Sequence, residues 1–194
     1  MAKIMQKSLF ELEPEEERAQ IEALELRIRA AAEEIAWLLT LRGQFVTAAE
    51  SLTGGMICAS LVDIPGSSNW FSDGFVTYSD SAKARRLGVD PALIAEKTAV
   101  SSQVGLAMAQ GALIESGADY AVAVTGLAGP FFDENGESYP LPPEHEPGLV
   151  YIACACRCGA AVVRRIFTGT RAVIRKKTNL AALLALKKLM QSAQ

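Results

Sequence analysis

The stretch Phe45-Val46-Thr47-Ala48-Ala49-Glu50-Ser51-Leu52-Thr53-Gly54-Gly55 decides the fold. Phe45 to Ala49 is short, apolar and partly β-branched, which suits a buried strand. Thr53-Gly54-Gly55 then opens a helical stretch through Ile57, Leu61 and Val62. Strand, tight turn and helix in that order form the building unit of an α/β sheet. Ligands in such sheets sit at the carboxyl ends of the strands, where this turn lies.

The same order returns downstream. Pro65-Gly66-Ser67-Ser68 breaks the chain, Phe75 to Tyr78 reads as a second strand, and Ser81 to Leu87 has helical spacing up to Gly88. Ser101 to Ser116 is predicted as a helix capped by Ser101 or Ser102. Tyr120 to Thr125 follows as a strand ending in Gly126-Leu127-Ala128-Gly129-Pro130. After a Pro-rich, acidic loop from Phe131 to Pro147, Leu149–Cys156 and Ala161–Phe167 are expected to pair as a hairpin, and Thr170 to Met190 to close the chain as a helix. Upstream, Pro14 followed by Glu15, Glu16 and Glu17 marks a helix start. Ile21, Leu24, Ile28, Ala31, Ile35, Leu38 and Leu39 continue that helix at helical spacing to Gly43. The expected architecture is an α/β fold, a three-layer α/β/α sandwich with a mixed, mostly parallel sheet. Residues 1–13 are expected to form a loose arm and 14–194 one domain.

Composition narrows the function. The 194 residues are 50% hydrophobic, enough for one sizeable core. Lys and Arg number 19 against 22 Asp and Glu, so the chain lacks the basic field that a nucleic-acid backbone requires. No apolar run is long enough to cross a bilayer, and the start lacks a signal-peptide core. The expected setting is cytoplasmic, with neither nucleic acid nor membrane as a partner. Cys58, Cys154, Cys156 and Cys158 read as reduced thiols, and neither a metal nor a cofactor is expected. The long first helix suits either scaffold or a dimer surface, and a homodimer or higher homo-oligomer is expected.

The candidate chemistry lies at the ends of the predicted strands. Ser51 sits where strand gives way to helix, and the amides of Thr53, Gly54 and Gly55 are expected to face an anion or oxyanion. On its residues alone, Ser51 reads equally as a helix cap. A serine nucleophile needs a base; the sole histidine, His145, lies in the loop, which leaves a desolvated lysine. Lys83, five residues after Tyr78, is the best placed, and the Tyr78 hydroxyl suits a proton relay or simple packing. Thr125 and Gly126 open a second small-residue loop. Arg171 and Arg175 lie one turn apart, placed to clamp a phosphate or carboxylate.

Five segments occur in one order: Glu50-Ser51-Leu52-Thr53-Gly54-Gly55, Pro65-Gly66-Ser67-Ser68, Tyr78-Ser79-Asp80-Ser81-Ala82-Lys83, Ala99-Val100-Ser101 and Thr125-Gly126-Leu127-Ala128-Gly129-Pro130. Together they closely resemble the CinA C-terminal family, the nicotinamide-nucleotide amidases, from about Arg29 to the last helix. The resemblance implies hydrolysis of the carboxamide of nicotinamide mononucleotide to nicotinate mononucleotide and ammonia, without a metal. It makes Ser51 the nucleophile, Lys83 its base, Tyr78 a relay or second activator, and Thr125 and Arg171 further site positions, Arg171 on the phosphate. The chain would be the stand-alone form of the family. Leu52 stands where the family commonly has cysteine, Thr170 where aspartate is usual, and Glu146 in a stretch that often carries lysine. If it faced the site, Glu146 would repel a phosphate. Two alternatives follow: a nucleotide-binding sensor that has lost turnover, and a Ser-Lys hydrolase of another amide.

Overall fold

The computed structural model describes residues 13–130 and 145–192. Apart from Glu13, the expected arm lies outside these residues, as do positions 131–144 of the expected loop. The elements are α1 (Pro14–Arg42), β1 (Val46–Glu50), α2 (Met56–Val62), β2 (Phe71–Val76), α3 (Asp80–Leu87), α4 (Pro91–Lys97), α5 (Ser102–Ser116), β3 (Tyr120–Gly126), β4 (Leu149–Cys156), β5 (Gly159–Ile166) and α6 (Arg171–Ser192). The five strands form one mixed sheet in the order β2-β1-β3-β4-β5. β1 pairs in parallel with β2 and β3, and β4 runs antiparallel to both β3 and β5, so four of the five strands point the same way. Among the described residues, no helix is long and apolar enough to cross a membrane.

The alternation of side chains across the pleat splits the core into two layers. On one face Val46, Ala48, Val122, Val124, Val150 and Ile152 meet the buried stripes of α1, α2 and α6. Ile28, Ile35 and Leu39 of α1 pack there with Leu183, Leu186 and Met190 of α6, and each such side chain contributes about 1.5–3 kcal/mol by leaving water. On the other face the fully buried apolar strand residues are alanines, Ala49, Ala121, Ala123, Ala153 and Ala155, with Phe75 and Val162 partly buried beside them. These short side chains let α5 lie close, with α3 and α4 beside it, through Leu87, Ile94, Val104 and Met108. Gly111 takes the closeness further, since a Cβ there would lie 2.0 Å from the Leu87 carbonyl oxygen.

Most of the expected elements are present, with shifts that have physical causes. β2 runs Phe71–Val76, not Phe75–Tyr78. It is an edge strand, so Ser72, Asp73 and Gly74 sit in it without the apolar run of a buried strand. Gly74 is required by the α2 layer, because a Cβ there would lie 2.6 Å from the Cys58 sulfur. Thr53-Gly54-Gly55 is a turn and not the opening of the helix, with φ of 61° at Gly54 and 98° at Gly55, so α2 starts at Met56. α4 is an element beyond those expected, started by Asp90 before Pro91, and the Asp90 carboxylate accepts the Ala92 N–H at 2.8 Å. The hairpin turns at Arg157-Cys158, with Cys156 facing Gly159, two residues earlier than expected on the β5 side.

Candidate active site

Ser51 directly follows β1. Its N–H donates to the Val124 carbonyl at 3.1 Å, and the Thr77 N–H donates to the Glu50 carbonyl at 2.8 Å, so both ladders continue past the end of the strand. Glu50 is in register with Val76 and with Val124. One residue further on, Ser51 therefore stands between Thr77 and Thr125, and Thr125 faces Tyr151 of β4. The alternation that puts Phe75, Ala49 and Ala123 in the α3–α5 layer puts Thr77, Ser51 and Thr125 on that same face. Four hydroxyl side chains thus line one level of the sheet at its carboxyl edge.

Lys83 reaches this level from α3. Its side chain is 1% exposed, and Nζ donates to the Tyr78 carbonyl at 3.2 Å, with Asp80 Oδ1 at 3.8 Å. Burial pushes the Lys83 ammonium below the ordinary lysine range, and the Asp80 carboxylate opposes that shift. The local sequence fixes this placement. The Ser79 hydroxyl caps α3 by accepting the Ala82 N–H at 3.2 Å, which leaves Lys83 in the first turn, folded back on the end of β2. Tyr78, by contrast, is 64% exposed, and its hydroxyl lies 3.5 Å from Arg171 Nη2. The expected pairing of the two arginines does not form. Arg171 stays at the surface beside Tyr78, while Arg175 donates to the Leu52 carbonyl at 2.9 Å and the Thr53 carbonyl at 2.6 Å. Arg175 braces the turn that carries Ser51.

The turn amides are largely committed within the protein. The Gly54 N–H donates to the Ser51 carbonyl at 3.1 Å and the Gly55 N–H to Glu50 Oε2 at 2.8 Å, so two of the three amides expected to face an anion are spent within the protein. Glu50 has a structural role beyond the expected site residues. Fully buried, its carboxylate also accepts the Cys58 N–H at 2.8 Å and so caps α2, whose own cap position is a glycine. An acid five residues ahead of a Gly-capped helix was the available signal. Gly126 also has a structural reason: a Cβ there would lie 2.4 Å from the Leu149 carbonyl oxygen. The Thr125 hydroxyl donates to the Ala99 carbonyl at 2.6 Å, tying the loop ahead of α5 to the site. In that loop Thr98 adopts φ 63° and ψ 160°, a conformation costly for any residue with a side chain. Glu146 is held by Arg164 at 3.2 Å, so the charge expected to repel a phosphate is paired on β5.

Buried Lys83 on the Tyr78 carbonyl and Ser51 after β1 both lie toward the carboxyl ends of the parallel strands β1 and β2. Residues 28–190 match the family model of the CinA C-terminal domain. The chain belongs to that family. Among CinA relatives, it is 42% identical over 156 residues to the nicotinamide-nucleotide amidohydrolase PncC of Escherichia coli K12, a match covering 80% of this chain and 90% of that protein. A PncC from Pseudomonas putida is 44% identical over 138 residues, 71% of this chain and 81% of that one. A CinA-like protein of Geobacter sulfurreducens is 45% identical over 149 residues, 77% of this chain but 34% of that protein, so the chain spans about a third of this longer relative. Among solved CinA-type structures, the competence damage-inducible protein A of Klebsiella pneumoniae superposes with a TM-score of 0.77 at 33% identity, over 86% of this chain and 99% of that one. The competence/damage inducible protein CihA of Agrobacterium tumefaciens gives 0.75 at 39% identity, over 84% and 95%.

Proposed function

We propose that this protein is a serine amidase that hydrolyses the carboxamide of nicotinamide mononucleotide to nicotinate mononucleotide and ammonia. The observation that supports the reading is Lys83: buried, drawn below the ordinary lysine range, and with its amine on the Tyr78 carbonyl, one residue past the Thr77 that pairs beside Ser51. Two PncC relatives bear the name of that activity. Neutral Lys83 takes the Ser51 proton as Oγ attacks the carboxamide carbon. The tetrahedral adduct collapses, the C–N bond breaks, and the Lys83 proton leaves with ammonia. Water then hydrolyses the ester, with Lys83 as base again, and frees Ser51. Arg171, at the surface beside the Tyr78 hydroxyl, takes the substrate phosphate.

The structural support for a binding protein without turnover was the altered loop, and the pairing of Glu146 with Arg164 weakens it. The hydrolase reading is tested by ammonia release from nicotinamide mononucleotide. The native chain should turn over, and Ser51→Ala and Lys83→Ala should each lose about 10³-fold or more in kcat. Turnover that survives Ser51→Ala would sink the nucleophile assignment. Binding of the mononucleotide without turnover would select the sensor instead.

A further inference from the structure

A site that cleaves a primary carboxamide must offer donors to the carbonyl oxygen, where negative charge develops, and acceptors to the NH2 group. The Ser51 turn is short of donors, because the Gly54 and Gly55 amides are committed to Ser51 and Glu50. Thr125 has spent its proton on the Ala99 carbonyl at 2.6 Å and so presents lone pairs. That suits it to accept from the amide nitrogen and not to stabilise an oxyanion.

Thr77 is the complement. It is 1% exposed, and its hydroxyl has no hydrogen-bond partner among the described residues. Threonines buried in this sheet otherwise find carbonyls: Thr47 donates to Asp73 at 2.9 Å and Thr125 to Ala99. A buried hydroxyl without a partner is unfavourable unless something else uses it. Thr77 is the cross-strand neighbour of Ser51 on the same sheet face, and the Tyr78 carbonyl that follows it holds the Lys83 amine. Thr53 Oγ1 is also buried and unpartnered among the described residues, but it lies in the turn, beyond the strand alternation that sets the direction of Thr77.

We propose that the Thr77 hydroxyl is a catalytic hydrogen-bond donor to the oxyanion formed when Ser51 attacks its substrate. The inference rests on the hydrolase reading. As the Ser51 Oγ–carbon bond forms, the carbonyl π pair moves onto oxygen and the serine proton moves to Lys83 Nζ. Thr77 O–H donates to that oxygen and transfers no proton. On collapse the C=O bond reforms, the C–N bond breaks and the Lys83 proton goes to the departing nitrogen.

The test compares Thr77→Val, which keeps the shape and loses the hydroxyl, with Thr77→Ser, which keeps the hydroxyl. Two assays are read: ammonia release from nicotinamide mononucleotide, and the rate at which a small alkyl fluorophosphonate adds its mass to Ser51. Thr77→Val should lower kcat and the labelling rate by about 10²-fold, with KM and Tm near native, and Thr77→Ser should keep most of both. Native rates in Thr77→Val, or equal losses in the two variants, would overturn the proposal. Labelling without ammonia release in the native chain rejects the mononucleotide as substrate, and the labelling rates then decide on Thr77. Ammonia release without labelling leaves the decision to kcat. If the native chain does neither, the nucleophile and this inference fall together.

Discussion

Glu50 and Asp80 are two acids with opposite tasks. Glu50 is fully buried and accepts the Gly55 and Cys58 N–H groups, both at 2.8 Å, so its charge is held by the N-terminus of α2. Glu50→Gln would set an NH2 group against one of these donors, and a chemical-denaturation midpoint should reveal a loss of about 2–4 kcal/mol. Asp80 is exposed, and its carboxylate 3.8 Å from Lys83 Nζ favours the ammonium against the burial that opposes it. Asp80→Asn removes that support, so the Lys83 pKa should fall further. The rising limb of kcat/KM, which reports neutral Lys83, should then move to lower pH. A limb that stays put would show that Lys83 is not the base. Thr170, where an aspartate is usual in the family, still caps α6: its Oγ1 accepts the Val173 N–H at 3.3 Å and donates to Glu17. The negative charge at that helix start comes from α1 instead.

Two helices decide whether the site holds its shape. α6 delivers Arg171 to the surface beside Tyr78 and Arg175 to the carbonyls of Leu52 and Thr53, and one turn further Asn179 donates to Ser60 and the Met56 carbonyl of α2. Arg175→Met leaves two carbonyls unserved and should lower stability by about 2–3 kcal/mol, visible as a lower Tm. Arg171→Ala should leave Tm near native and raise KM for the mononucleotide. The opposite pattern would return the phosphate to Arg175. α5 lies against the sheet on a floor of alanines and against α3 at Gly111. Gly111→Ala gains about 1 kcal/mol in helix propensity. A Cβ placed 2.0 Å from the Leu87 carbonyl oxygen loses more, about 1–3 kcal/mol or above, so the variant should be net destabilised in a thermal melt. Because α3 carries Lys83, its activity should fall as well.

Lys83 also ties the stability of the whole molecule to pH. Its folded pKa is lowered from the ordinary 10.5, so between the two values the unfolded chain binds more protons and stability rises with pH. Below the folded value the cost of burying the ammonium is at its full extent. Lys83→Met removes this dependence, so urea midpoints should show the variant's advantage over the native chain shrinking as pH rises through that window. The α/β order, the helix start at Pro14 and the cap at Ser101 were legible in the chain, because periodicity and cap residues act over a few neighbours, and the same local signals nominated Ser51, Lys83 and Thr125 as candidates. β2 was misplaced because an edge strand needs no apolar run, and α4 was passed over despite its Asp-Pro start. The division of labour between Arg171 and Arg175, the capping role of Glu50 and the unpaired Thr77 hydroxyl had no local signature. Each depends on which atoms the sheet register and the packing of α6 bring within hydrogen-bond reach, and spacing along one chain does not encode such distances.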